Sequence, residues 1–117
     1  MKRILLLFCA TLFSFSLHCQ VQWIKHEGNP VLKKGPDGDW DAIGVGFPCV
    51  ISMDGTYHMW YGGISETSLN IGYATSDDGI NWTKHKGNPV LEVGATGSWD
   101  AGRVYVPSVI YDEIGRA

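Results

Sequence analysis

The segment KHEGNPVLKKGPDGDWDA at residues 25–42 returns as KHKGNPVLEVGATGSWDA at residues 84–101. A gapless alignment of Trp23–Ile51 with Trp82–Ile110 gives 17 identical residues in 29 positions, at an offset of 59. The identities include Trp, Gly, Pro, Asn and Asp, residue types that serve geometry as well as hydrophobicity. Repetition at a fixed period is typical of proteins in which each repeat is one supersecondary unit packed on the next. We therefore expect a repeat architecture.

The first 19 residues have the composition of a secretory signal peptide. A short basic start precedes Ile4–Leu17, which is apolar, uncharged and too short for a comfortable membrane span. Cleavage before Gln20 is favoured. Lipoprotein anchoring at Cys19 is the less favoured alternative, because His18 occupies a position where a small residue is wanted. An uncleaved hydrophobic anchor is a further alternative, and the expected location is secreted or periplasmic.

Composition narrows the class of partner. The formal net charge is −3 and no basic patch is present, so we expect no nucleic-acid partner. No membrane span is expected after signal cleavage. Of the three cysteines Cys49 alone would then remain, which suits a bacterial exported protein better than a disulfide-stapled one. No metal site or cofactor is predicted, since the repeat-related His26 and His85 have no second metal ligand at useful spacing.

Short strand patterns separated by turn residues lie between the two copies. Val45–Ser52 is an almost continuous apolar run, typical of a strand buried on both faces, and its Pro48 requires an edge or a bulge. Asp54-Gly55 predicts a hairpin turn. Three further strands are expected at Tyr57–Tyr61, Asn70–Thr75 and Asn81–His85, with Gly62-Gly63 ending the first of these. Four antiparallel strands per repeat indicate a β-propeller blade; a generic β-sandwich explains the strands but not the offset of 59.

Residues 75–82, TSDDGINW, fit the Asp-box pattern of Ser or Thr-x-Asp-x-Gly-x-x-Trp. The pattern assigns Thr75, Asp77, Gly79 and Trp82 to a specialised hairpin between the third and fourth strands. We expect Asp77 to accept backbone N–H bonds within its own turn, Gly79 to take a positive φ and Trp82 to pack between strands. Such a hairpin is structural, so no catalytic role is predicted for Asp77.

Taken together, GNPVL, WDA before a Pro-containing strand, YHMWYGG at 57–63 and IGYATSDDGINW at 71–82 resemble the five-bladed β-propeller glycoside hydrolases. That superfamily includes arabinanases, β-xylosidases, invertases and levansucrases, with β-mannoside phosphorylases as relatives. The resemblance covers Trp23 to about Tyr111. It implies an all-β propeller with sugar bound at one mouth of a central channel, and acid/base cleavage of glycosidic bonds by paired carboxylates. Plant or microbial oligo- and polysaccharides are the implied substrates.

The repeat length also predicts how much of a propeller the chain supplies. A closed five-bladed ring needs roughly 300 residues at this period. We therefore expect residues 20–117 to form a partial domain of about one and a half blades, incomplete at the C-terminus and inactive by itself. In this interpretation Trp23–Glu27 is an outer strand and Val104–Tyr111 is the inner strand of the next blade.

Site candidates follow from the resemblance and from the divergence between the copies. In the resembling glycoside hydrolases of family 43, an acidic residue commonly precedes the Pro of the first inner strand, but here Phe47 and Val106 occupy that position. The nearest acids, Asp41 and Asp100, are therefore the catalytic candidates. Bracing of the loop is the alternative role for both. The copies diverge where the resemblance places sugar, which nominates Arg103 as a hydrogen-bond donor. The substrate-binding candidates are the aromatic and basic residues Trp40, Phe47, Trp99, Arg103 and Tyr105. The alternative to sugar binding is structural. The aromatic residues would then fill the core, and Arg103 would pair with a carboxylate between blades.

Three functions remain open at this point. The first is an exported glycoside hydrolase. The second is a propeller that binds carbohydrate without cleaving it, and the third is a structural repeat protein whose chains self-associate into a ring.

Overall fold

The computed structural model describes residues 22–112. The predicted signal peptide, its cleavage site and residues 113–117 lie outside that part. Within it, one four-stranded antiparallel sheet has the order β1-β2-β3-β4 and no helix is present. The strands are β1 (Gly44–Met53), β2 (Thr56–Ile64), β3 (Leu69–Ser76) and β4 (Thr83–Lys84). The all-β class is confirmed for these residues. Among them there is no helix that could cross a membrane.

Two local features of β1 agree with the sequence. The register between β1 and β2 shifts between Gly46 and Cys49, which is the irregularity that Pro48 requires. Phe47, inside this bulge, takes a φ of 50°. The β1–β2 turn has φ values of 49° at Asp54 and 83° at Gly55, as expected for an Asp-Gly hairpin. The bulge and the hairpin are thus both confirmed.

The prediction that Gly62-Gly63 ends the second strand is wrong. β2 continues through both glycines to Ile64 and pairs with β3 along its whole length. A Cβ at Gly63 would collide with the indole ring of Trp40, and a Cβ at Gly72 on β3 would collide with the same ring. These two residues, which we call the glycine slot, are therefore glycines because Trp40 lies directly on the sheet.

The first copy of the repeated segment covers the face of the sheet that carries the core, which we call the Trp40 face. The buried apolar residues of this face are Met59, Tyr61 and Ala74, and the side chains of Leu32, Trp40, Val45 and Trp82 pack against them. The Trp40 and Tyr61 ring centroids are 5.8 Å apart. Folding of the sheet and placement of residues 25–42 are therefore coupled.

The chain after the second copy crosses the opposite face of the sheet. The Val104 N–H donates to the Leu69 carbonyl (3.0 Å), and the Tyr105 carbonyl lies against Gly62. Further along, the Val109 N–H donates to Cys49 Sγ at 3.2 Å. This segment, 104–109, is held by contacts to β1, β2 and the start of β3.

Two predictions about the inner and outer strands are wrong. β1 is not buried on both faces, since Phe47 is 53% exposed and Val50 is 44% exposed. Neither Trp23–Glu27 nor Val104–Tyr111 forms a regular strand. The physical reason is the same in each case: the described residues contain one sheet, so no second sheet packs on β1 and no further ladder pairs with these segments.

The hairpin between β3 and β4 has the predicted form but a different central acid. Asp78 Oδ1 accepts the backbone N–H groups of Ile80 (2.8 Å) and Asn81 (2.7 Å), the role expected of Asp77. Ser76 Oγ accepts the N–H of Gly79 at 2.9 Å, so it takes the place that the pattern gives to Thr75. Asp77 instead accepts a bond from the Thr56 hydroxyl.

The remaining two positions of the pattern behave as expected. Gly79 has a φ of 73°, and the indole N–H of Trp82 donates to the Gly79 carbonyl at 3.0 Å. The Trp82 side chain packs against the core cluster. The hairpin is thus held by the side chains of Ser76 and Asp78, the second of its two aspartates.

This geometry predicts an acid-sensitive hairpin. Backbone N–H donation from Asn81 and Ile80 holds the pKa of the Asp78 carboxyl well below its ordinary value of 3.8. Because the folded-state pKa is lowered, the stabilisation is fully present above pH 3.8 and is lost as the pH falls below it. We expect Asp78→Ala to lower the midpoint of denaturant unfolding at pH 7, and the gap to the parent to shrink below pH 3.8.

Asp77→Ala is the matched control, since Asp77 is an exposed neighbour with one side-chain bond. It should change the free energy of unfolding by under about 0.5 kcal/mol. A larger loss with Asp77→Ala than with Asp78→Ala, measured by urea unfolding, would return the central role to Asp77.

Candidate functional site

A cleft lies at the end of the sheet where β1 begins, β2 ends and β3 begins. Its volume is about 720 Å³. One wall is the end of the first repeated copy together with Ile43, which directly precedes β1, and the other wall is the β2–β3 loop. The lining residues are Asp37, Gly38, Asp39, Trp40, Ala42, Ile43, Ser65, Glu66, Thr67 and Ser68.

The cleft is acidic. Asp37 and Asp39 contribute carboxylates from one wall and Glu66 contributes one from the other, and all three are exposed to solvent. Lys34 lies at the rim, with its Nζ 3.9 Å from Asp37 Oδ1 and 2.5 Å from the Ala42 carbonyl oxygen. The cleft therefore combines several hydrogen-bond acceptors with one cation at its edge.

The β2–β3 loop is fixed by its own hydrogen bonds. Ser65 Oγ accepts the backbone N–H of Ser68 at 3.1 Å, and the Ser65 N–H donates to the Ser68 carbonyl at 3.0 Å. The buried Asn70 donates to Ser68 Oγ (3.1 Å) and accepts from the Val93 N–H (3.0 Å). Pre-organised loops of this kind lose less conformational freedom when they bind a ligand.

The opposite wall is fixed mainly through Asp41. This residue is 1% exposed, its Oδ1 accepts the Gly35 N–H at 3.1 Å, and its Oδ2 lies 2.5 Å from Lys84 Nζ. The neighbouring Tyr61 phenol has a raised pKa, chiefly because of burial and also because of the Asp41 charge, partly offset by a hydrogen bond from Asn88. Both oxygens of Asp41 are thus engaged, and the arrangement favours the bracing role over the catalytic one.

Asp100 is the repeat counterpart of Asp41 and is only half-buried. Its backbone carbonyl accepts the Gly94 N–H at 3.3 Å, and no salt bridge within residues 22–112 involves its side chain. It does not line the cleft. The two catalytic candidates from the sequence are therefore not brought together with the acidic cleft, although Asp41 stabilises one of its walls.

The predicted binding aromatic residues fall into two groups. Trp40 lines the cleft, and its ring also packs on the glycine slot. Phe47 and Tyr105 form an edge-to-face pair with centroids 5.4 Å apart, in which Phe47 is 53% exposed. Trp99 is 95% exposed and is not part of the cleft.

Arg103 lies close to the cleft along the chain path. It precedes Val104, whose N–H is bonded to the carbonyl of Leu69, and Leu69 follows the cleft residue Ser68. The Arg103 backbone is therefore positioned beside the β2–β3 loop, on the side away from the first repeated copy. Its side chain is exposed.

The repeated histidines and the repeated asparagine have structural contacts. Nδ1 of His26 and of His85 accepts the N–H of the glycine two residues later, at 3.0 and 3.1 Å. Asn88 Oδ1 accepts the Tyr73 N–H (2.9 Å) and Asn88 Nδ2 donates to the Tyr73 carbonyl (3.0 Å), so this side chain extends the β3 ladder. In the part of the chain that the structure describes, no cluster of three His, Cys, Asp or Glu residues is placed to hold a metal ion.

Sequence reasoning did not single out Asp37, Asp39 and Glu66. A signal for the two aspartates was present, because the second copy has Thr96 and Ser98 at the equivalent positions. The same kind of divergence was the basis for nominating Arg103. Glu66 has no counterpart within the two aligned copies, so nothing in the repeat could have marked it.

Comparison with known proteins finds short-range similarity. No protein-family profile and no solved structure matches the chain. The uncharacterized protein Rv1502 of Mycobacterium tuberculosis strain H37Rv and the uncharacterized protein MT1551 of strain CDC 1551 are each 41% identical to it over 51 residues. The match covers 38% of this chain and 17% of each relative, so the chain spans less than a fifth of the length of the relatives it matches.

Proposed function

We propose that this chain binds oligosaccharide in the cleft between residues 37–43 and 65–68, as part of an exported, glycoside-active protein of the five-bladed propeller type. One observation carries the proposal: a cleft of about 720 Å³ is lined by three acidic residues, by Ser and Thr residues and by Trp40. Small-molecule sites commonly have volumes of about 300–1,000 Å³. The cleft is therefore large enough for a few sugar rings.

The lining chemistry suits sugar hydroxyls. A carboxylate accepts two hydrogen bonds at once, and charge-assisted hydrogen bonds are about twice as strong as neutral ones. Hydroxyls of Ser65 and Thr67 both donate and accept, and Trp40 adds an aromatic side chain to the lining. Arg103 does not line the cleft, so its hydrogen-bond donors are not counted among the sugar-binding groups proposed here.

Cleavage of a glycosidic bond requires two carboxyl groups that flank it. Asp39 and Glu66 come from opposite walls of the cleft, so they meet this requirement better than Asp41, whose oxygens are engaged by Lys84 and Gly35. If the whole protein is a hydrolase, we propose these two residues as its acid/base pair. If it binds without cleavage, the same pair anchors the sugar.

The propeller part of the proposal is supported by the repeat and by the relatives. The described sheet has four antiparallel strands, the number in a propeller blade. The aligned 51 residues are 17% of each relative, which gives those proteins about 300 residues. That length accommodates five units at the offset of 59 seen here.

Calorimetric titration tests the proposal with a panel of arabino-, xylo-, manno- and fructo-oligosaccharides. We expect at least one to bind, and expect Glu66→Gln and Asp39→Asn each to weaken its binding about tenfold or more, since a hydrogen bond to a charged group is worth about 1.5–3 kcal/mol. Glu92→Gln is the control, because Glu92 is exposed and lies outside the cleft. Absence of binding across the panel, or equal affinity in all three variants, would contradict the proposal.

A further inference from the structure

The two copies of the repeated segment share residues but differ in what covers them. Trp40 packs on the sheet, whereas its counterpart Trp99 is 95% exposed. Leu32 packs against the core cluster, whereas its counterpart Leu91 is 50% exposed. The second copy therefore presents to solvent the apolar side chains that the first copy buries.

Exposure continues into the segment that follows the second copy. Val106 is 62% exposed and Ile110 is 83% exposed. With Leu91, Trp99 and Asp100 these residues form what we call the second-copy surface. Because the first copy buries the counterparts of Leu91 and Trp99, their exposure in the second copy indicates an interaction site.

The first copy shows what such a surface packs against. The Trp40 ring fills the space that side chains at Gly63 and Gly72 would otherwise occupy. The adjacent Asp41 pairs with Lys84 on β4. A surface with the same Trp-Asp pair therefore needs a sheet with two glycines on adjacent strands and a lysine on the outer strand.

We propose that the second-copy surface docks a second four-stranded sheet of the same repeat, with Trp99 in its glycine slot and Asp100 paired with its lysine. A second copy of this chain does not offer the required slot, because Trp40 already fills the slot between its Gly63 and Gly72. The occupant is therefore a further repeat unit, and the relatives, at about 300 residues, are long enough to contain several. This inference rests on the propeller part of the proposed function and does not depend on sugar binding.

A tandem insertion tests it in the full chain. Residues 44–102 are duplicated and inserted after Gly102, which adds one period of 59 and places a new sheet behind Trp99 at the spacing that β1–β4 have behind Trp40. We expect Trp99→Ala to lower the melting temperature of the extended chain by roughly 10 °C, the same effect that we expect of Trp40→Ala. In the parent chain we expect Trp99→Ala to shift it by less than about 2 °C.

A second variant separates slot filling from general stabilisation. Gly72→Ala in the inserted copy alone should close the new slot and abolish the effect of Trp99→Ala in the extended chain. The proposal is overturned if Trp99→Ala has no effect in an extended chain that Trp40→Ala destabilises, or if the extended chain does not unfold cooperatively. It is also overturned if sedimentation shows a dimer of the parent chain that Trp99→Ala converts to monomer, because the occupant would then be a second copy.

Discussion

Trp40→Ala is expected to lower the free energy of unfolding by about 3–5 kcal/mol, the usual cost of removing a large aromatic side chain from a packed site. The reason is local. The indole ring lies on the glycine slot and against Tyr61, and no Cβ on the sheet at Gly63 or Gly72 can fill the space that it leaves. Urea unfolding followed by circular dichroism measures the loss.

Trp99→Ala is the matched control for Trp40→Ala, because Trp99 occupies the equivalent position in the second copy of the repeat. At 95% exposure its removal should cost under about 0.5 kcal/mol in the parent chain. Equal effects of the two substitutions would show that Trp40 contributes no more to the sheet than an exposed residue does, and would contradict the fold described above.

Lys84→Met should lower the free energy of unfolding by about 3 kcal/mol. The substitution leaves the Asp41 carboxylate, 1% exposed, with the Gly35 N–H as its one remaining hydrogen-bond donor among those the structure shows. Removing one partner of a buried ion pair costs about 3–5 kcal/mol, and Lys84 is only partly buried, so the low end applies. Differential scanning calorimetry or urea unfolding measures the loss.

Two further variants define the origin of that loss. Lys86→Met changes an exposed lysine on the same segment and should cost under about 0.5 kcal/mol. The double variant Lys84→Met/Asp41→Leu should recover part of the stability, because no charge is then left buried and unpaired. If Lys84→Met alone were neutral, the ion pair would not hold Asp41, and a bracing role for Asp41 would be contradicted.

The elements that the sequence predicted well are those set by local chemistry. The hairpin depends on Asp54 and Gly55, two residue types that tolerate the positive φ values of a two-residue turn. The bulge depends on the missing N–H of Pro48. The four strands follow from short apolar runs between such turns, and their order in the sheet follows from short connections between antiparallel neighbours.

The elements that the sequence predicted wrongly depend on distant partners. Gly62 and Gly63 have the pattern of a strand end. Gly63, however, leaves room for the indole ring of Trp40, which lies 23 positions earlier in the chain. Consecutive aspartates in the β3–β4 hairpin offer two ways to satisfy the same backbone donors, and the pattern alone selected Asp77 instead of Asp78. The cleft combines loops on either side of β1 and β2, so its acids became evident only once the sheet was assembled.

Backbone amide shifts in a ¹H–¹⁵N correlation spectrum show whether sugar binds at the acidic cleft. During titration with the tightest-binding oligosaccharide of the panel, we expect shift changes concentrated in residues 37–43 and 65–68, with smaller changes near Arg103. Changes confined to the exposed Trp23 or Trp99, or no changes at saturating oligosaccharide, would contradict it.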